Sequence, residues 1–289
     1  MSEQHPIIAL TGSLEVGSPA INQVFERIFR REHIRPVIVS GESFYRYTRK
    51  EMKVEVEKAV AEGRYLSYLG QEANRFDKLE EFFYAYSNYG TGELRTLYKE
   101  GEDPHSSRFA AGEFSHWEPI PSDSDLVFYE GLHGGLQSDQ HDVAQYVDLL
   151  IGLVPAINME WIERLHLADA VDLDEDEKIR LIAGRMSDYI HYILPQFTRT
   201  DINIQRVPLV DTTNPFIARN VPSDDETFVI IRFDDPKALS INFPQLLTQI
   251  QGSFLSRHNT MVVPGAKLSL ALELIMTPLI CDLVIKKNK

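Results

Sequence analysis

The strongest constraint on the fold is the order of the first three structural elements. Residues 6–10 (PIIAL) form a short, continuous apolar run, which is typical of a parallel strand buried on both faces. Apolar residues then recur at helical spacing over residues 19–31, and a second buried-strand pattern, VIVS, occupies residues 37–40. Strand, helix and strand in this order make a βαβ unit, because neighbouring parallel strands need a crossover connection. The sequence therefore predicts a parallel sheet.

The rest of the chain repeats these two patterns. Further buried strands are predicted at residues 125–130, 147–154, 206–211, 228–233 and 259–264. Helices are predicted at residues 49–62, 76–87, 158–166, 176–193 and 266–285, and glycine and proline make residues 88–122 rich in loops. No composition shift marks a linker, so we predict one α/β domain over residues 1–289. Its sheet is expected to be mostly parallel, with helices on both faces.

Composition excludes several classes of function. The formal net charge is −14, which disfavours nonspecific binding to nucleic acid or to an anionic membrane. The single cysteine, Cys281, excludes an intrachain disulfide framework. The first residues lack a basic region followed by an apolar core, so no signal peptide is expected. The apolar stretch 268–285 carries Glu273, Pro278 and Asp282, which favours a buried helix over a membrane span. The expected location is the cytoplasm.

A candidate phosphate-binding loop joins the first strand to the first helix. The stretch TGSLEVGSPA places Gly12 and Gly17 four residues apart, and Ser18 stands where such loops usually carry lysine. Glycines let backbone N–H groups converge on phosphate oxygens, and the helix N-terminus adds its positive dipole end. The candidate ATP-binding residues are Gly12, Ser13, Gly17 and Ser18.

Two residues of this loop oppose that function. Glu15 places a carboxylate inside the anion cradle, and a like charge ~4 Å from a phosphate costs about 4 kcal/mol at an effective dielectric near 20. Pro19 occupies the position of the hydroxyl residue that holds Mg²⁺, and proline has neither a hydroxyl nor an N–H. Ser18 and Pro19 are also a favourable helix start, with serine as N-cap and proline in the first helical position. Glu15 and Pro19 therefore predict that this loop binds Mg-ATP weakly.

Three later segments identify a family. FYEGLHGG (128–135), PQFTRTDINIQRVPLVDTTNPFIAR (195–219) and VVPGAKLSLALELIMTPLI (262–280) resemble the bacterial, octameric type of phosphoribulokinase. The likeness runs from about residue 4 to about residue 285, and it points to the branch of close paralogues in heterotrophic bacteria. The resemblance implies a mixed sheet akin to that of adenylate and uridine kinases. It also implies that ATP and Mg²⁺ are used to phosphorylate ribulose 5-phosphate to the 1,5-bisphosphate.

The resemblance assigns the catalytic residues. Glu42 stands where the family has the aspartate that accepts the proton of the sugar hydroxyl, and it is one methylene longer. Its position is equally compatible with an ordinary solvated loop acid. Glu130 matches the family's second acidic residue, which implies a Mg²⁺ ligand at the carboxyl end of a parallel strand. Arg164 stands for the lysine at the start of the lid that closes over the phosphoryl group.

The resemblance also assigns the sugar-phosphate side. Arg49 and Lys53 match family positions that contact the sugar phosphate, and one helical turn separates them, so both can face one anion. Without the resemblance they would be an ordinary solvated basic face. Tyr98 matches a family tyrosine on the substrate side, whereas Glu100 replaces the histidine that follows it and Tyr45 replaces another substrate-side histidine.

The lid departs most from the family pattern. From Leu165 to Glu177 there is no lysine or arginine, and the segment DAVDLDEDE (169–177) contains six carboxylates. Cations in this lid stabilise charge in the transition state and can raise the rate by about 10³-fold or more. An acidic run at a helix N-terminus is also favoured by the helix dipole alone. The segment 169–177 is therefore more typical of a solvated helix N-terminus than of a catalytic lid.

The remaining family features concern regulation and assembly. Arg31, Arg232 and Arg257 match positions that the family links to an allosteric nucleotide site at subunit contacts, so the resemblance implies a homo-oligomer. Each arginine alone would be read as an ordinary surface residue. The residues together favour impaired or absent kinase activity. The alternative is a catalytically inactive nucleotide sensor, or an oligomeric partner that assembles with an active paralogue.

Overall fold

The computed structural model describes residues 5–12, 18–98, 112–169, 175–218 and 220–287. Within these ranges the structure describes only the backbone of residues 18–19, 166–169, 175–178 and 181. The predicted Ser13, Glu15, Gly17 and Glu100 lie outside the described residues, and Ser18 is described by its backbone only.

The described residues form one large sheet, a second sheet of two short strands and a set of helices. The strands are β1 (Ile7–Gly12), β2 (Pro36–Ser40), β3 (Glu93–Leu94), β4 (Glu118–Pro119), β5 (Leu126–Gly131), β6 (Leu149–Val154), β7 (Ile202–Pro208), β8 (Thr227–Phe233), β9 (Phe254–Arg257) and β10 (Thr260–Pro264). The α-helices are α1 (Ser18–Arg31), α2 (Arg49–Ala61), α3 (Phe76–Tyr89), α4 (Ile157–Asp169), α5 (Glu175–Asp188), α6 (Phe243–Gln249) and α7 (Leu268–Lys287).

The large sheet has the strand order β2-β5-β1-β6-β7-β8-β10-β9. Its first five strands are mutually parallel, and β8, β10 and β9 each run antiparallel to the preceding strand in that order. Strands β3 and β4 pair antiparallel in a separate two-stranded sheet. The prediction of an α/β fold with a mostly parallel, mixed sheet is confirmed.

Helices cover both faces of the sheet, which explains the continuous apolar runs in the sequence. In β1, Ile8 and Leu10 face the core that contains residues of α1, α6 and α7, whereas Ile7 and Ala9 face the core formed with α3. A strand buried on both faces has no position that tolerates a solvated polar side chain. All six residues of β1 are buried.

Some elements differ from their predicted bounds. Strand β7 begins at Ile202, four residues before the predicted start at 206, because buried Ile202 and Ile204 alternate with the polar Asn203 and no continuous apolar run appears. The predicted helix 176–193 is α5 followed by a π-helical turn over Tyr189–Ile193.

Four elements were not predicted at all: the two-residue strands β3 and β4, helix α6 and strand β9. Helix α6 is only seven residues long and is capped by the side chain of Asn242, so it shows little periodicity. All four residues of the edge strand β9 are exposed, so no burial pattern marks it; it is fixed by pairing with β10.

The last helix meets the length and composition of a membrane span over Gly265–Lys287. Core helices of soluble proteins share this length and composition. Here Ala271, Leu272, Ile275 and Met276 are buried in the core shared with α1. Glu273 forms an ion pair with Arg31 of α1.

Gln196 joins three segments at the carboxyl end of β1. Its Oε1 accepts hydrogen bonds from Thr11 Oγ1 at 2.6 Å and from the Gly135 N–H at 2.8 Å. Its Nε2 donates to the carbonyls of Leu132 at 2.8 Å and Tyr192 at 2.7 Å. The side chain is buried, so these bonds replace water for all four partners.

We expect Gln196→Met to lower the free energy of unfolding by about 2 to 4 kcal/mol, because methionine leaves several buried donors and acceptors without partners. Urea unfolding followed by circular dichroism measures the loss. Gln205→Met is the matched control, since Gln205 makes a single long bond of 3.4 Å to the Pro155 carbonyl and its loss should cost less than ~1 kcal/mol. Equal losses at the two positions would contradict the role assigned to Gln196.

His133 gives the stability a specific pH dependence. Burial lowers the pKa of its imidazole from 6.5 to about 4, although the bond between Nε2 and the Leu69 carbonyl opposes the shift. Between pH 6.5 and about pH 4, His133 is protonated in the unfolded chain but neutral in the folded chain. The free energy of unfolding therefore decreases across this range as the pH falls.

The wild type and His133→Gln differ in their free energy of unfolding, and this gap should shrink by about 2 kcal/mol between pH 7 and pH 4.5. The reason is that only the wild type contains the imidazole whose pKa differs between the folded and unfolded states. Urea unfolding at both pH values measures the gap. A constant gap for His133→Gln would show that His133 titrates alike in both states.

Candidate active site

The candidate site lies at the carboxyl ends of the parallel strands. Strand β1 sits between β5 and β6, and β2 and β7 flank this trio. After β1 the chain continues to β2 on one side of β1, and after β5 it continues to β6 on the other side. The direction of the connections therefore reverses at the carboxyl end of β1, which makes this end a topological switch point. Ligands of open α/β sheets bind in the crevice at such a point.

The end of β1 has a backbone that only glycine adopts readily. Gly12 has φ +112°, and a Cβ on it would lie 2.5 Å from the Leu153 carbonyl oxygen and 2.8 Å from Phe197 Cε1. The described chain resumes at Ser18 with α1, so a helix N-terminus follows closely in sequence. Of the four predicted ATP-binding residues, Gly12 is described fully and Ser18 by its backbone, whereas Ser13 and Gly17 lie outside the described residues.

Glu42 and Glu130 lie at neighbouring strand ends. Ser40, the last residue of β2, is in register with Glu130 of β5, and the Glu42 N–H donates to Ser40 Oγ at 3.3 Å. Gly41 allows this approach, because a Cβ there would lie 2.8 Å from the Gly131 Cα. Among the described residues no three His, Cys, Asp or Glu side chains form a metal site. An ion at Glu130 would therefore need phosphate oxygens and water as further ligands, as Mg²⁺ commonly does.

Arg95 fixes the turn that carries Glu42, and the sequence analysis missed it. Its Nε donates to the Ser43 carbonyl at 3.0 Å and its Nη2 donates to the Tyr45 carbonyl. The guanidinium lies 3.6 Å from the ring centroid of Phe114. Burial, followed by the charge of Arg75, lowers the pKa of Arg95 to about 10, so it stays charged at neutral pH. No sequence pattern signals this role, because the bonded carbonyls are about fifty residues away.

Arg49, one of the predicted sugar-phosphate residues, lies in the same neighbourhood as Glu42. Arg49 opens α2, which is capped by Thr48 and Glu51, and both Arg49 and Lys53 are exposed. Burial raises the pKa of the Tyr68 hydroxyl, the charge of Arg49 lowers it and that of Glu42 raises it, so these three side chains share one neighbourhood.

Tyr98 and Tyr45 border the same region. The Gly112 N–H donates to the Tyr98 carbonyl at 2.7 Å, and a Cβ on Gly112 would lie 4.0 Å from the Arg49 Cβ. The ring of Tyr45 stacks on that of Tyr68 with centroids 4.2 Å apart. The structure thus brings Glu42, Arg49 and the Tyr98 backbone to one side of the crevice.

Arg164 is engaged by an acid of its own helix. Its Nη2 lies 2.7 Å from Glu160 Oε1, and the two side chains are 12% and 13% exposed. Both line a pocket between α4 and α5, together with Trp161, Arg185 and Tyr189 among others. Arg185, which lines the pocket and follows the acidic segment in the sequence, was not among the predicted site residues. Residues 170–174 of that segment lie outside the described residues.

The three predicted regulatory arginines lie on different faces. Arg232 of β8 and Arg257 of β9 are both in register with Thr260 of β10, so they form one row across the sheet. Arg232 alternates with Ile231 and Phe233, which face α7, so its side chain points away from that helix. Arg31 instead bonds to Glu273 and Thr277 of α7. Within one chain the structure does not bring Arg31 to the other two.

Comparisons with known proteins agree with this geometry. A family model described as "Phosphoribulokinase / Uridine kinase family" matches residues 7–213. The chromosomal phosphoribulokinase of Cupriavidus necator is 47% identical over 291 aligned positions, covering 100% of this chain and 99% of the relative. The phosphoribulokinase of Nitrobacter vulgaris is 44% identical over 291 positions, covering 100% of both.

A solved structure extends the likeness to three dimensions. The structure of phosphoribulokinase from Rhodobacter spheroides superimposes with a TM-score of 0.89 at 43% identity, and the match covers 100% of both chains. The family implies nucleotide and sugar-phosphate substrates and the use of ATP, with Mg²⁺ as the expected ion. The chain therefore belongs to the phosphoribulokinase and uridine kinase family.

Proposed function

We propose that the whole chain is one kinase-fold domain that binds ATP and D-ribulose 5-phosphate in the cytoplasm. The family reaction transfers a phosphoryl group to give ribulose 1,5-bisphosphate, and in this chain that step is impaired or lost. The observation that carries the proposal is the ion pair between Arg164 and Glu160, at 2.7 Å, where the family places the first lid cation.

The backbone at the end of β1 supports phosphate binding. The positive φ of Gly12 and the start of α1 at Ser18 provide the turn and the helix N-terminus that phosphates favour. The residue types of Glu15 and Pro19 oppose tight Mg-ATP binding, as the charge and the missing hydroxyl require. When bound, Mg-ATP supplies the phosphoryl group, and the ion neutralises its charge.

The other residues take roles that follow from their positions. Glu42 accepts the proton of the sugar hydroxyl, and Glu130 holds the ion from the neighbouring strand end. Arg49 and Lys53 bind the phosphate of the sugar from the exposed face of α2, and Tyr98 borders them.

The lid is where catalysis fails. A cation accelerates phosphoryl transfer when it meets the charge that develops on the transferring group. Arg164 is already neutralised by Glu160, and the following segment carries six carboxylates and no lysine or arginine. The transition state therefore loses stabilisation that substrate binding does not need.

Release of ADP in the presence of Mg-ATP and ribulose 5-phosphate should proceed below ~1 s⁻¹, the low end of typical kinases. A coupled spectrophotometric assay measures it. Any residual turnover should vanish in Glu42→Gln, which removes the base, and persist in Glu57→Gln on the exposed surface of α2. Turnover well above ~1 s⁻¹ in the wild type would refute the impairment.

The second candidate function is a nucleotide sensor, or an oligomeric partner of an active paralogue. The row formed by Arg232 and Arg257 favours it, because two cations on one sheet face can share an anion and this face carries no catalytic residue of the proposed site. Arg31 would complete such a site only from another subunit of a homo-oligomer or mixed assembly.

A sensor should bind AMP or NADH in the presence of EDTA, because arginines need no metal to hold a phosphate. Isothermal titration calorimetry measures this binding. Arg232→Gln should weaken it about tenfold or more, whereas Arg35→Gln, which removes an exposed arginine paired with Asp123, should not. Absence of binding, or binding that EDTA abolishes, would argue against the sensor.

A further inference from the structure

We propose that Asp188, the last residue of α5, is a positioning residue for the candidate active site. It acts through residues 65–70, the linking segment, which contact the supports of both proposed acids, Glu42 and Glu130. This role rests on the proposed function of the two acids. It adds a residue on a separate helix that keeps their surroundings in place.

The carboxylate of Asp188 meets the linking segment at two residues. Its Oδ2 accepts a hydrogen bond from Ser67 Oγ at 2.7 Å. Gly70 packs directly against the same oxygen, because a Cβ on Gly70 would lie 2.6 Å from it. Ser67 and Gly70 are buried. Since a buried hydroxyl that loses its acceptor is not readily compensated by water, this contact constrains the segment.

Helix α5 meets the linking segment a second time, one helical turn earlier. Gly184 precedes Asp188 by four residues, so the two positions lie on one face of the helix. A Cβ on Gly184 would overlap the ring of Tyr65, so this ring lies against the backbone of the helix. The linking segment is therefore held against α5 at both of its ends.

The middle of the linking segment contacts the turn that carries Glu42. The ring of Tyr68 stacks on that of Tyr45, with centroids 4.2 Å apart and planes at 27°. Tyr45 closes the turn, because its N–H donates to the Glu42 carbonyl at 3.1 Å. The position of Tyr68 therefore bears on the end of the turn that presents the proposed base.

The next residue of the linking segment contacts the loop after Glu130. The Leu69 carbonyl accepts a hydrogen bond from His133 Nε2 at 2.9 Å, and His133 follows Glu130 by three residues. The side chain of Leu69 is buried with Tyr189 and Ile193, which belong to the π-helical turn that continues α5. The same segment thus supports both proposed acids.

The linking segment has a fixed shape of its own. Asn74 Nδ2 donates to the carbonyls of Tyr68 at 2.7 Å and Gly70 at 2.6 Å. Packed side chains and hydrogen bonds in a continuous series can carry coupling between distant groups. A segment that is rigid in this way passes a displacement at Asp188 on to Tyr68 instead of absorbing it.

Trp117 serves as a reporter for the turn that carries Glu42. Its ring centroid lies 6.1 Å from that of Phe44, the last residue of this turn. In a Trp161→Phe background, Trp117 is the sole tryptophan. Its emission therefore reports on the turn without any need for bound ligand or turnover.

We expect Asp188→Ala in this background to shift the emission maximum of Trp117 and to increase its quenching by acrylamide, because the linking segment loses its anchor. Ser67→Ala removes the same hydrogen bond from the other side and should cause the same change, so it keeps the test valid if Asp188→Ala does not fold. Asp188→Asn should preserve the emission, since its amide oxygen still accepts from Ser67 Oγ. Asp123→Ala, which removes an exposed partner of Arg35, is the matched control and should also preserve it.

Residual turnover in otherwise wild-type protein gives a second readout. Asp188→Ala should lower kcat with ribulose 5-phosphate by about tenfold or more, because small displacements of a reacting group are costly. KM should change less, since Arg49 and Lys53 lie on α2, which has its own capping residues. Asp188→Asn should restore most of kcat.

The outcomes separate this role from the proposed function. Unchanged Trp117 emission in both Asp188→Ala and Ser67→Ala overturns the positioning role, whether or not the wild type turns over. An equal change in Asp188→Asn or Asp123→Ala also overturns it, because the bond to Ser67 is then not the cause. Residual turnover that survives Glu42→Gln refutes Glu42 as the base and leaves the emission result standing. A shift confined to Asp188→Ala and Ser67→Ala supports the role.

Discussion

The site depends on how the carboxyl end of β1 is held. The buried amide of Gln196 bonds to Thr11 at this end, to the glycine-rich segment after β5 and to the turn that follows α5. Phe197, the next residue, packs where a side chain on Gly12 would otherwise lie. One short segment thus fixes the strand end, the loop beyond Glu130 and the turn after α5 relative to one another. Catalysis and ligand binding both need such rigidity, because small displacements of reacting groups are costly.

Charge is the second constraint, since every proposed ligand is an anion and the chain carries a net −14. The cations near the crevice fall into two groups. Arg95 and Arg164 are committed to protein partners, the first to backbone carbonyls and the second to Glu160. Arg49 and Lys53 are exposed at the start of α2, and in the proposed function they bind the phosphate of the sugar. In the proposed function, the attraction for anions is therefore concentrated on the sugar-phosphate side.

The sequence predicted the layered fold because burial on both faces leaves a pattern in each central strand, as in β1. It failed where no such pattern exists, at the exposed edge strand β9 and the seven-residue α6. In the candidate site, the places of Glu42 and Glu130 beside strand ends could be predicted from the buried-strand pattern, whereas their roles come from the resemblance to the family and stay predictions. Gln196 and Arg95 were not, because their roles come from partners up to 185 residues away that only the folded chain brings together. Arg164 and Glu160 lie one helical turn apart, so their pairing could be read from the sequence. The low exposure of both side chains depends on the tertiary fold and could not.

In the proposed function, the lid and the crevice contribute to different steps. Groups that contact substrate in the ground state set affinity, whereas a cation that meets charge only in the transition state sets rate. Arg49, Lys53 and the end of β1 belong to the first kind, and Arg164 belongs to the second. A chain that keeps the first set while Glu160 neutralises the second can retain ligands yet transfer phosphate slowly. The same site can therefore serve a slow kinase or a nucleotide sensor. The two functions differ in whether the residual rate of transfer or the ligand-bound state matters to the cell.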